Sequence, residues 1–248
     1  MSTDGDLSGR VALITGSSSG IGEATARSLA AAGAAVVINS SSSVAAGKAV
    51  ADSLPQAVYV QADVGAGDVA CQELAAAAVA AFGRLDILVN NAGTTQLIPH
   101  HDLDAATDEV WQRILSVNLM GTWHLTRACV PALRASGAGS VINVTSVAGL
   151  RPTGSSIPYA VSKAGLNHLT ALLANVLGPE IRVNAVAPGL VDTPWTAEWT
   201  AIRERVTAQA PLKRPATPQD VAEAITGLVR AGFVTGQVVA VDGGMSLR

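Results

Sequence analysis

Short β-branched apolar runs alternate with longer stretches of helical spacing along almost the whole chain. Val11 to Thr15, Ala35 to Asn39, Ala57 to Gln61, Asp86 to Asn90, Ser140 to Thr145, Arg182 to Ala187 and Gln237 to Val241 read as strands. Between them, Gly20 to Ala32, Val44 to Leu54, Val69 to Phe82, about Thr107 to Ala135, Tyr159 to Leu177 and Pro218 to Val229 read as helices. The strand runs are nearly continuous in apolar residues instead of alternating, which is the pattern of a parallel sheet covered on both faces. Strands and helices that alternate through short connections predict an α/β fold with a doubly wound parallel sheet. No linker, repeat or low-complexity tract divides the chain, so residues 1–248 read as one domain. Ser40 to Ser43 read as a short loop after the second strand.

Composition narrows the function classes. The chain of 248 residues is 49% hydrophobic, enough for one large core. Charged residues make up only 14% and the net charge is −3, with no basic stripe, which argues against nucleic acid as a partner. No apolar run approaches the ~18 residues of a membrane span, and the first residues lack the basic and apolar regions of a secretory signal. Cys71 and Cys129 fall in helical patterns and read as two buried thiols of a cytoplasmic protein.

The first strand runs into a glycine turn, Gly16-Ser17-Ser18-Ser19-Gly20-Ile21-Gly22, which opens a helix. Glycines there allow a sharp turn and close approach of the backbone to a ligand. The helix N-terminus offers free N–H groups and a positive dipole end to the phosphates of a dinucleotide. A tight turn without a ligand is the competing reading. The second strand ends at Asn39-Ser40-Ser41 with no carboxylate to take a ribose 2′-hydroxyl, which points to NADP, with NAD also possible. No arginine stands in the turn or the serine loop to pair with a 2′-phosphate. Asp63-Val64 ends the third strand, where the carboxylate can accept from the adenine amino group or cap the next helix. Asn90, Ala92 and Gly93 end the fourth strand with small residues over which a cofactor can lie.

The candidate chemistry lies in the second half. Tyr159 and Lys163 are i and i+4 on a predicted helix and share a face. An ammonium beside a phenol favours the phenolate and lowers its pKa toward working pH. Ser146 ends a strand and is placed to hydrogen-bond a substrate oxygen. An ordinary helix pair is the competing reading of Tyr159 and Lys163, and their position after a serine-ended strand argues against it.

These motifs together resemble the short-chain dehydrogenase/reductase family from about Leu7 to Met245: Thr15-Gly-x-x-x-Gly20-x-Gly22, Asp63-Val64, Asn90-Asn-Ala-Gly93, Asn118, Ser146, Tyr159-x-x-x-Lys163, Pro188-Gly189 with Thr193, and Asp242-Gly243-Gly244. The resemblance implies a Rossmann-type sheet of about seven strands, hydride exchange between a nicotinamide and a ketone or secondary alcohol, and a homotetramer or dimer. It implies Tyr159 as acid/base, Lys163 on the nicotinamide ribose, Asn118 in a water relay, Asn90 near the cofactor ribose, and Pro188, Gly189, Val191 and Thr193 beside the nicotinamide. 3-Oxoacyl thioesters are one substrate class it suggests. A cofactor-binding regulator without turnover is the alternative, and the complete Asn118, Ser146, Tyr159 and Lys163 set argues against it.

The substrate side is less determined. Residues 194–210 read as a lid in which Trp195 and Trp199, i and i+4, share a face if helical. They either cap an apolar substrate or pack the lid onto the body. Thr94, Gln96, Thr153 and Leu190 fall on loops at the same end of the sheet. His100 and His101 sit together in the loop after Gly93, and with only His124 and His168 remaining, both in helical patterns, a surface or partly buried role is expected and not a metal site.

Overall fold

The computed structural model describes residues 6–247. Seven strands form one all-parallel sheet: β1 (Val11–Ile14), β2 (Ala35–Ser40), β3 (Ala57–Gln61), β4 (Ile87–Asn90), β5 (Gly139–Val144), β6 (Ile181–Pro188) and β7 (Val238–Val241), in the order β3-β2-β1-β4-β5-β6-β7. Eight α-helices accompany them: α1 (Gly20–Ala31), α2 (Val44–Asp52), α3 (Asp68–Phe82), α4 (Asp108–Leu115), α5 (Thr122–Ala135), α6 (Ile157–Leu177), α7 (Thr200–Gln209) and α8 (Pro218–Arg230).

The continuous apolar strands serve two cores at once. Ala12 and Ile14 of β1, with Val36 and Ile38 of β2, pack on one face against Leu29 of α1 and Val221 and Ile225 of α8. Their neighbours Val11, Leu13 and Val37 point to the other face, against Leu74 of α3, Leu125 and Leu133 of α5, and Leu173 and Leu177 of α6. Successive side chains alternate across a strand, so both parities must be apolar when both faces are covered. β1 pairs with β2 on one side and β4 on the other. The chain reverses its winding there, and in such sheets a crevice opens beyond the carboxyl ends of those strands.

Two expected elements differ. The long helix over about 107–135 is interrupted: α4 ends at Leu115, a π-turn spans Ser116–Gly121, and α5 follows. At Gly121 the backbone passes so close to the turn after β3 that a Cβ would lie 2.9 Å from the Val64 carbonyl. One-turn π insertions of this kind recur at functional sites, and this one carries Asn118. The segment after β6 is a 3₁₀ turn (Pro194–Thr196), and α7 begins only after Trp199. Trp195 and Trp199 therefore do not share a helical face. The two ends of this excursion are held together, since Asp192 N donates to Ala216 O at 2.8 Å and Ala216 N to Leu190 O at 2.9 Å.

Candidate active site

Glycine shapes the floor of the crevice. Gly16 and Gly20 have φ of +61° and +57°, a region that side-chain-bearing residues rarely enter. A Cβ on Gly22 would lie 2.4 Å from the Gly16 carbonyl oxygen, so only glycine lets the turn fold back on α1. The turn is clamped by β4: Asn91 Nδ2 donates to Thr15 O and Gly16 O at 2.8 and 3.0 Å. Asn91 N and Ala92 N donate to Thr15 Oγ1 at 3.0 and 2.9 Å. Ser19 precedes α1 without capping it by its side chain, which leaves the helix N-terminus to a ligand's phosphates.

From this turn a cavity of about 880 Å³ extends to the first turn of α6. Gly16, Ser18, Ser19, Gly20 and Ile21 line it at the turn, and Asn39, Ser40, Ser41, Asp63 and Val64 at the ends of β2 and β3. Ala92, Gly93, Pro188, Gly189, Val191 and Thr193 line its middle. Ser146, Tyr159 and Lys163 close it, beside Thr94, Thr153, Leu190, Trp195 and Trp199. An elongated crevice with an uncapped helix N-terminus midway and an ionisable pair at its far end fits a dinucleotide.

Several expected contacts are placed differently. Asn90 does not line the cavity. It is 4% exposed, and its Nδ2 donates to Thr126 Oγ1 and Asn143 Oδ1 at 3.0 and 2.9 Å beneath the sheet end. Its neighbour Asn91 faces the crevice instead. Asn39 lines the cavity, but its amide is already used: Oδ1 accepts from Gly16 N, and Nδ2 donates to Val60 O and Ala62 O, both at 3.1 Å. The Ser40 hydroxyl shares a 2.8 Å hydrogen bond with the Tyr59 phenol. Asp63 Oδ1 accepts from Gly65 N at 2.8 Å and so also caps a short turn. Gly22 acts by packing, and Gln96 lies behind the wall, where its Oε1 accepts from Arg113.

Asn118 is fully buried and its side chain is committed as well. Its Oδ1 accepts from Thr94 N at 2.8 Å, and its Nδ2 donates to Thr94 O and Ser162 Oγ, both at 3.0 Å. It fixes the strand that leaves β4 against α6.

The ionisable groups stand close together. Lys163 Nζ lies 5.7 Å from the Tyr159 ring centre and donates to Val144 O at 2.8 Å. Burial lowers the lysine pKa from 10.5 to about 8. Burial also raises the Tyr159 phenol above its ordinary value, and the neighbouring Ser146 side chain opposes this without cancelling it. The expected lowering by Lys163 is thus not what the free protein shows: desolvation of the phenolate dominates. Tyr159 is protonated at neutral pH and placed to give a proton.

Reading the sequence placed Thr15 and Asn91 within its motifs but missed their role, which is to clamp the glycine turn. It also missed Arg113, Arg151 and Arg205, which line the cavity. Among the described residues, no group of three or more His, Cys, Asp or Glu could hold a metal ion, and no helix is long and apolar enough to cross a membrane.

A family model described as enoyl-(acyl carrier protein) reductase matches residues 16–246. The chain is 56% identical over 240 residues to a Streptomyces violaceoruber protein assigned as ketoacyl reductase 2 of the granaticin polyketide synthase, covering 96% of each. This chain belongs to the short-chain dehydrogenase/reductase family. Within that family it is also 41% identical to the cis-4-hydroxycyclohexanecarboxylate dehydrogenase of Sinomonas cyclohexanicum, covering 95% of this chain and 96% of the other. The 3-ketoacyl-(acyl-carrier-protein) reductase of Brucella melitensis, solved with NADH, superimposes with a TM-score of 0.90 at 35% identity, covering 97% of this chain and 100% of the other. These short-chain dehydrogenase/reductase relatives make the protein an oxidoreductase of C=O and CH–OH groups.

Proposed function

We propose that the protein is an NADP(H)-preferring reductase of ketones, 3-oxoacyl thioesters among them, with Tyr159 as the acid. The observation that carries this reading is Tyr159, kept protonated by burial, beside a buried Lys163 whose Nζ lies 5.7 Å from its ring centre, with Ser146 lining the same end of the cavity. Gly16, Ser18, Ser19, Gly20 and Ile21 would hold the pyrophosphate, and Asp63 and Val64 the adenine. Pro188, Gly189, Val191 and Thr193 would stand beside the nicotinamide. When bound, the cofactor supplies the hydride. Ser146 and Tyr159 hydrogen-bond the carbonyl oxygen, and the Tyr159 proton passes to that oxygen as the alcohol forms. The Lys163 ammonium stabilises the phenolate left behind. Residues 194–210 would close over the substrate.

The reading has a pH signature. Lys163 is charged below about 8 and loses its charge above it. The kcat/KM for ketone reduction is therefore expected to be level near pH 7 and to fall as pH rises through about 8. A profile still level at pH ~9 would remove the Lys163 charge from the mechanism.

NADP preference rests on the missing carboxylate after β2 and on Ser18, Ser19, Ser41 and Ser43, whose hydroxyls line that end of the cavity. Nicotinamide-fluorescence titration should give tighter binding of NADPH than of NADH; the reverse order overturns the preference. Ser41→Asp places a carboxylate there without disturbing the Asn39 amide. It is expected to weaken NADPH about tenfold or more and to leave NADH binding nearly unchanged. Equal effects on the two would show that the serine loop does not face a 2′-phosphate.

Assembly and location belong to the same reading: a cytoplasmic homo-oligomer, tetramer or dimer. Val161, Leu172 and Val176 on the outer side of α6 are 47%, 52% and 63% exposed, which supports subunit contact. Light scattering of the purified protein tests it.

A further inference from the structure

The substrate half of the cavity collects arginines without carboxylate partners. Among the described residues, Arg27, Arg84, Arg127, Arg203 and Arg214 form ion pairs, and none of these lines the cavity. Arg113, Arg151 and Arg205 do line it, and none of the three forms an ion pair among the described residues. Their hydrogen bonds go to neutral oxygens. Arg113 donates to Gln96 Oε1, and Arg151 Nε and Nη2 donate to Ser246 O at 3.2 and 3.1 Å.

The carboxylates of the cavity do not offset this charge. Asp63 stands at the cofactor end, at the close of β3. Asp242 turns both oxygens into its own loop, accepting from Gly244 N at 2.9 Å and Ser246 N at 2.7 Å.

Contacts between segments draw the neighbourhoods of Arg113 and Arg151 together. Thr95 Oγ1 and Ser155 Oγ share a 2.6 Å hydrogen bond, and Ile98 N donates to Ser155 O at 2.8 Å. The segment that holds Arg113 through Gln96 therefore lies against the loop that follows Arg151. Arg205, on α7, lines both the main cavity and an adjoining groove of about 440 Å³, walled by Leu97, Ile98, Pro152 and Ile202. His100, Thr153 and Ser155 line the groove beside these apolar residues, and Arg205 stands where the two spaces meet.

We propose that the substrate is an anion: its carbonyl sits at Tyr159 and its remote end carries a phosphate or carboxylate held by Arg205, with Arg113 and Arg151 beside it. This rests on the reading of the site as a ketone reductase. Guanidinium groups form bidentate, charge-assisted hydrogen bonds with both anions. The main cavity, which Arg205 shares with Tyr159, accepts the uncharged spacer between the two ends. The two sources of such an anion are the phosphate of a phosphopantetheine thioester and the carboxylate of a free oxo acid.

Paired probes test it. Reduction by the cofactor-loaded enzyme is measured with S-acetoacetyl-pantetheine against S-acetoacetyl-4′-phosphopantetheine, and with cyclohexanone against 4-oxocyclohexanecarboxylate. In at least one pair the anion should have a KM lower by about tenfold or more, and the pair that shows it names the source. In Arg205→Gln the ratio within that pair should fall toward one, and Arg205→Lys should restore part of it. Equal KM values within both pairs, or a ratio untouched by Arg205→Gln, overturn the inference. Quenching of Trp195 and Trp199 fluorescence by the same probes, with oxidised cofactor present, separates the two readings. Arginine-dependent binding without turnover keeps the anion site and removes the reductase. Turnover of all four probes without preference keeps the reductase and removes the anion site.

Discussion

Tyr159→Phe is expected to lower kcat for ketone reduction by about a thousandfold or more while NADPH binding stays within about twofold. The change deletes one oxygen. The ring keeps its place in the first turn of α6, where Ser156 caps the helix by accepting from Tyr159 N at 3.4 Å. Lys163 keeps its hydrogen bond to Val144 O. What is lost is the phenol proton that the proposed mechanism passes to the carbonyl oxygen. Single-turnover reduction and cofactor titration on the same variant separate the two quantities. Surviving turnover would show that another group, or water, delivers the proton. A parallel loss of cofactor binding would mean that the phenol serves the nicotinamide site instead. The experiment also decides against the regulator alternative, because a protein without turnover has nothing for this substitution to remove.

Lys163→Met should abolish turnover and stabilise the fold. Lys163 is 4% exposed and holds its charge against burial, which has lowered its pKa from 10.5 to about 8. That shift corresponds to about 3 kcal/mol of destabilisation at neutral pH. Methionine of similar length carries no charge but leaves the Val144 carbonyl without its ammonium donor, a loss of about 1 kcal/mol. The net expected gain is about 2 kcal/mol at pH 7. The sign follows from proton binding. Between about 8 and 10.5 the unfolded lysine is protonated while the native one is not, so the wild type gains stability as pH rises. The advantage of Lys163→Met should then be full below pH ~7 and shrink toward pH ~10. Chemical denaturation at several pH values measures it. A variant less stable than wild type at pH 7 would mean that the ammonium is better solvated than its burial implies.

The parts of the site written in local spacing were legible in the chain. Gly16, Gly20 and Gly22 are bound to one another by a backbone turn only a few residues long. Tyr159 and Lys163 need only a helix to meet. The errors concern buried polar groups, whose partners lie far away in sequence. Asn39 reads as a ligand donor until its amide is seen spanning Gly16, Val60 and Ala62. Asn90 and Asn91 look equivalent in the sequence, and strand alternation sends one beneath the sheet and the other to the crevice. Lys163 was expected to lower the phenol's pKa, and no sequence pattern reports the desolvation that outweighs it. The apolar spacing over 107–135 continues through the π-turn, because an insertion of one residue shifts the face without ending the helix. Arg113, Arg151 and Arg205 gave no signal at all, since they stand on α4, a loop and α7, and only tertiary packing sets all three along one cavity.

The pairing of Leu190 and Asp192 with Ala216 has a consequence for how such a protein can change its substrate. Leu190, Trp195, Trp199, Ile202 and Arg205 all belong to the stretch that departs and returns at this pairing. The excursion is therefore a cassette with a closed neck. Its length and side chains can be exchanged without moving the strand ends that frame the cofactor. Ser146, Tyr159 and Lys163 stand outside the neck and are untouched by the exchange. Grafting residues 194–216 between relatives, which leaves Val191 and Thr193 in place, is thus the shortest route by which selectivity could be transplanted while the proton-transfer apparatus stays as it is.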